Sequence, residues 1–138
     1  MGKNRYHRNR LSFARRLHQR ENLRAEDLLY VELYPFHSRR VTGAIDPDPD
    51  VLDRFVFGPI GDLDVGQVFA FGKPWTRVAE RIGLGVGEPL RVTWQTPSRE
   101  ARSYRLPTGQ DLIILSQNGY AGPPGEADTE TLRCELRL

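Results

Sequence analysis

Apolar and polar positions along the chain alternate between two periods, and the order of the blocks is that of an α/β protein. From Asn4 to about Gln19, Tyr6, Leu11, Ala14 and Leu17, with Phe13 beside them, recur near helical spacing, while Arg5, Arg8, Arg15, Arg16 and Arg20 take the other positions. The spacing predicts a basic amphipathic helix over residues 1–20. Leu28 to Tyr34 is apolar at nearly every position except Glu32, the pattern of a strand covered on both faces. Asp48 or Asp50 can then cap a short helix that begins near Val51, carries Leu52, Phe55 and Val56, and ends before Gly58-Pro59. Gln67 to Phe71 reads as the next strand. Pro74 sits where a first-turn proline is tolerated and opens a helix through Trp75, Val78, Ala79 and Ile82 that stops at Gly83.

Beyond Gly83 the period shortens to two. Leu90 to Trp94, Ala101 to Leu106 and Asp111 to Ser116 read as strands, the last two joined as a β-hairpin by Pro107-Thr108-Gly109. The run Gly83-Leu84-Gly85-Val86-Gly87 alternates glycine as a dinucleotide loop would. It follows a helix pattern, however, whereas that fingerprint must follow a strand, so it reads as a connection. Gln117 to Gly125 is a loop. The tail from Ala127 fits a helix with Leu132 and Leu136 inward, or a strand alternating Leu132, Cys134, Leu136 and Leu138; the helix is preferred. The expected architecture is a single α/β domain over 1–138, an N-terminal helix (1–20) and a sheet core (21–138). Its sheet is expected to be mostly parallel and flanked by helices, with a β-hairpin in the second half.

Composition narrows this picture. A length of 138 residues suits one core, and the mean hydropathy of −0.54 fits a chain that does not enter a membrane. Cys134 is the single cysteine, which excludes an internal disulfide and a cysteine-rich zinc site, and Cys134 itself reads as a small buried side chain. The start MGKNRYHRNR has no apolar segment after its charges, so neither a signal peptide nor an anchor is expected, and the default setting is cytoplasmic. The net charge of +2 conceals an asymmetry: ten bases face four acids up to Arg40, and ten face fourteen beyond it. A positive field confined to one segment favours encounter with polyanions, although a solvated arginine face or a homo-oligomer contact through the N-terminal helix accounts for the same residues.

Candidate chemistry gathers where strands end, because in open α/β sheets ligands collect outside the carboxyl ends of strands. The first such edge is Pro35-Phe36-His37-Ser38-Arg39-Arg40 and the second is Phe71-Gly72-Lys73-Pro74-Trp75. Arg39, Arg40 and Lys73, with Arg15 and Arg16 from the helix, suit phosphate, Lys73 being placed at a helix N-terminus. Phe36, Trp75 and Tyr120 can stack on a base if they converge. His37 titrates near neutrality and can donate to a phosphate or a base edge. Asp46, Asp48 and Asp50 alternate with prolines, but Val51 and Phe57 stand where a calcium loop needs a glycine and a bidentate acid, so no metal is expected, nor any cofactor.

Three segments carry a family resemblance. Leu29-Tyr30-Val31-Glu32-Leu33-Tyr34-Pro35-Phe36-His37-Ser38 resembles the second core strand and following polar loop of the uracil-DNA glycosylase superfamily, and in particular a bacterial branch with Pro-Tyr-His-Ser at that point. Val68 to Trp75 is similar to its third strand and glycine turn, and Leu112 to Tyr120 to its fourth strand and leading loop. The resemblance implies a uracil-DNA glycosylase-like architecture and binding of DNA, another nucleic acid or a nucleotide-like anion. For an enzyme it implies base excision, with His37 or Asn118 nearest the leaving base. The family's water-positioning Asp or Asn loop does not precede Asn4, and Ser116-Gln117-Asn118-Gly119-Tyr120 stands where the family has His-Pro-Ser. A fragment, a shortened relative or a non-catalytic cousin is therefore expected. The alternatives are an interaction or oligomerisation domain without ligand chemistry, and a hydrolase acting on a phosphorylated small molecule at Lys73.

Overall fold

A computed structural model describes residues 2–28, 48–119 and 122–138. Its elements, in chain order, are helix α1 (Gly2–His18), a 3-10 turn (Ala25–Asp27), helix α2 (Pro49–Leu52), a π-helical turn (Asp53–Phe57), helix α3 (Gly58–Gly61), strand β1 (Gln67–Phe71) and helix α4 (Pro74–Arg81). They are followed by strands β2 (Glu88–Pro89), β3 (Glu100–Arg105) and β4 (Asp111–Ser116) and helix α5 (Glu126–Leu136). The strand expected over Leu28 to Tyr34 falls, apart from Leu28, on residues outside those described.

The four strands form one sheet in the order β1-β4-β3-β2. Among the described residues only β1 and β4 are parallel, with Gln67 opposite Asp111 and Phe71 opposite Leu115. Both other pairings are antiparallel, so the expected mostly parallel sheet is corrected to a mixed one. The cause is the expected hairpin itself: Pro107 to Gln110 turns the chain back, so β3 must run against β4.

Helices cover both faces. Because successive side chains of a strand point to opposite faces, Leu112 and Ile114 of β4 join Val68 and Ala70 under Leu52, Val56, Ile60, Val78 and Ala79. Ile113 and Leu115 join Phe69 and Phe71 under Phe13 and Leu17 of α1 and Leu132 of α5. Phe13 meets Phe69 and Phe71 edge to face, at 5.6 and 5.5 Å between centroids, geometries that add to burial. Arg10 lies over Phe71, so α1 runs counter to β1. Phe13 and Leu17 of α1 thus pack on this chain's own sheet.

Two expected boundaries shift for identifiable reasons. Helical structure does not end before Gly58-Pro59 but passes through both to Gly61, because the π turn lets the Gly58 amide donate to the Asp53 carbonyl five residues back. A Cβ at position 58 would stand 2.6 Å from that carbonyl oxygen, which is why glycine occupies it. Leu90 to Trp94 buries Leu90, Val92 and Trp94 in alternation as a strand would, yet β2 stops at Pro89. Here α5 supplies acceptors in place of a neighbouring strand: Arg91 N–H donates to Glu135 (3.3 Å), Gln95 N–H to Asp128 Oδ1 (2.6 Å) and Thr96 N–H to Asp128 Oδ2 (3.3 Å). The tail is thus the preferred helix, and Cys134 is exposed on it rather than buried.

Candidate anion-binding rim

The site is built where β1 and β4 end side by side. Parallel pairing brings Phe71 opposite Leu115, and Gly72 N–H extends the ladder by donating to Leu115 O at 2.8 Å. The residues that follow, Lys73 and Gln117-Asn118, therefore leave the sheet on one rim. Lys73 Nζ donates to Asn118 Oδ1. This closes a bridge between two segments far apart in sequence, on an exposed loop.

A second pair lies behind the first. Glu100 is opposite Ser116 in the hairpin, so Arg99 falls opposite Gln117, and Arg99 Nη2 donates to Gln117 Oε1. Arg99 is 5% exposed. Asn118 N–H donates to Ser98 Oγ at 3.3 Å, tying the same loops together. Arg10, with its guanidinium carbon 5.3 Å from the Phe71 ring centroid, adds a third cation at the carboxyl end of β1. Lys73, Arg99 and Arg10, from three separate segments, and the amide groups of Gln117 and Asn118, from a fourth, thus lie at the same end of the sheet.

The start of α4 contributes less than its position suggests. Pro74 has no amide hydrogen, and the amides of Trp75 and Thr76 donate to Gly72 O and Lys73 O at 3.3 and 3.0 Å. Lys73 acts here through its side chain.

No family model, no curated protein and no solved structure matches the chain.

The other candidates divide. Lys73 and Asn118 come together. Phe36, His37, Arg39, Arg40 and Tyr120 lie outside the described residues. Trp75 is half-buried, edge-on to Phe57 at 6.4 Å between centroids, and packs against the core rather than standing on the rim as a stacking platform. Arg15 Nε donates to Leu23 O at 2.8 Å, fastening the end of α1 to the turn after it. Arg16 pairs with Glu126 at 3.9 Å, both side chains well exposed. Arg15 and Arg16 lie five and six residues beyond Arg10, roughly 8 Å further along the helix and away from the rim. Asp48, expected as a cap, accepts from Asp50 N–H at 2.8 Å.

Arg99, Gln117 and Ser98 are the residues that sequence reasoning passed over. The signal that finds them is register: counting back from the Pro107-Thr108-Gly109 turn pairs Arg99 with Gln117. No described helix is long and apolar enough to cross a membrane.

Proposed function

We propose that the carboxyl rim of β1 and β4 binds a nucleic acid or a nucleotide-like anion. Lys73 supplies positive charge, and Asn118 and Gln117 supply amide groups for phosphate oxygens or a base edge. The observation that carries this reading is the Lys73–Asn118 bridge, a solvent-facing cation held in place by an amide at the ends of two parallel strands. The family resemblance of the segments Val68 to Trp75 and Leu112 to Tyr120 favours nucleic acid over other anions, and with it a uracil-DNA glycosylase-like architecture. The rim groups named here are a cation and amides, which suit binding. Base excision would also need a carboxylate to activate water, and none is assigned among them.

The test is a titration of the isotopically labelled protein with a short single-stranded deoxyoligonucleotide, followed by backbone amide shifts. The reading expects the largest changes at Gly72, Lys73, Ser98, Gln117 and Asn118. Changes confined to the part of α1 around Arg15 and Arg16, or none at saturating oligonucleotide, reject it. A uracil-containing strand in the same titration tests the enzymatic form, which requires release of free uracil.

A further inference from the structure

The arginines of α1 divide by what they meet. In the second half of the helix Arg15 Nε donates to Leu23 O and Arg16 pairs with Glu126. In the first half Arg5 and Arg8 are exposed, and among the described residues neither has a hydrogen-bond or ion-pair partner. Their positions are also unfavourable for the helix itself. Arg5 closes the first turn, where the helix dipole is positive and disfavours a cation. Arg8, three residues on, is its neighbour on the helix surface and repels it. None of the 17 residues of α1 is acidic, so no carboxylate within the helix offsets either charge.

A local rule broken without compensation inside the chain marks a surface kept for a partner, and the place of this surface identifies the partner. Because Arg10 lies over Phe71 and α1 runs counter to β1, Arg8 and Arg5 stand roughly 3 and 8 Å beyond Arg10 along the helix axis, past the carboxyl end of β1. That is the end at which Lys73 and Asn118 meet. The helical repeat puts Arg5, Arg8, Ser12 and Arg16 on one side of α1, and Phe13 and Leu17 on the other. Phe13 and Leu17 are packed on the sheet and do not serve to enter a bilayer; the outer side presents charge. A cationic side that begins at the rim fits a polyanion long enough to touch both, which a single strand of nucleic acid is.

We infer that a nucleic acid strand held at the rim continues along the outer side of α1, with Arg5 and Arg8 on its phosphates. The inference rests on the rim reading, and the experiment separates the two. Fluorescence anisotropy of a labelled oligothymidylate of about twelve nucleotides, read over a series of salt concentrations, is combined with thermal melting for three proteins: wild type, Lys73→Met, and the double variant Arg5→Gln with Arg8→Gln. Glutamine forms helices about as well as arginine, so the double variant removes charge alone. It should bind about tenfold more weakly at low salt, its slope of log affinity against log salt should be shallower by about 1.4 for two lost phosphate contacts, and it should melt at the same temperature or higher. Wild-type affinity and slope in the double variant, with Lys73→Met weakened, overturn the inference and leave the rim reading standing. A weakened double variant with Lys73→Met unchanged removes the rim, and with it the continuous path. A lowered melting temperature also overturns the inference, since it would give the two arginines a role in the fold. So does binding to phosphatidylserine vesicles with none to the strand, which would assign the charge to a membrane surface.

Discussion

Lys73 and Asn118 are joined by a side-chain hydrogen bond across the ends of two parallel strands, and both are exposed. An exposed contact of this kind contributes little to folding, about 0–1 kcal/mol. Its consequence is positional: it holds an ammonium group and an amide side by side. Lys73→Met and Asn118→Ala should each leave the thermal midpoint nearly unchanged while weakening oligonucleotide binding. The double variant should lose less than the sum of the two, since either substitution already breaks the bridge. Calorimetric titration of the four proteins measures that coupling, and strict additivity in binding would separate the two residues.

Asp128 is 4% exposed and accepts from two backbone amides, those of Gln95 and Thr96. Asp128→Ala strands both donors beneath α5 and should cost about 3 kcal/mol by urea denaturation, because hydrogen bonds to a charged acceptor are stronger than neutral ones and buried donors without partners are costly. Asp128→Asn keeps one acceptor and should lose clearly less. Equal losses for the two would assign the effect to packing.

Tyr104 places its hydroxyl in the core with no hydrogen-bond partner among the described residues. Its ring lies so close to Gly87 that a Cβ there would stand 2.6 Å from Cζ. Burial pushes the phenol above its ordinary value, with Arg102 opposing. The unfolded chain therefore ionises first as pH rises past about 10, and stability falls from that point upward. Tyr104→Phe should be neutral or stabilising at pH 7, since it removes an unsatisfied polar group, and should flatten the alkaline decline. Gly87→Ala, at φ 70°, should cost about 1–3 kcal/mol. A destabilised Tyr104→Phe at neutral pH would show that the hydroxyl has a partner after all.

Elements with local signals were legible from the residues. Pro74 and Gly83 bracket α4, and Pro107-Thr108-Gly109 with alternation on both sides specifies the hairpin, so Lys73 and Asn118 could be named as loop residues beside strands. Their contact could not, because nothing local tells which strands neighbour each other in a sheet. The Gly58-Pro59 boundary failed because a π turn carries the helix past a proline. Leu90 to Trp94 alternates in burial as a strand does but leaves the ladder after Leu90, whose N–H still donates to Ala101 O, and Arg91 N–H turns to a carboxylate on a helix far along the chain. Cys134 was misplaced for a simpler reason: a helix of eleven residues buries one stripe, through Leu132 and Leu136, and position 134 faces away from it.

The most direct measurement is the salt dependence of oligonucleotide binding. Fluorescence anisotropy of a labelled single-stranded deoxyoligonucleotide, read at several potassium chloride concentrations, gives the slope of log affinity against log salt for the wild-type protein and for Lys73→Met. If the rim binds phosphate, Lys73→Met weakens binding about five- to tenfold at low salt and makes the slope shallower by about 0.7. Superimposable lines for the two proteins would place the nucleic-acid contact elsewhere or nowhere, and the rim would lose its assignment.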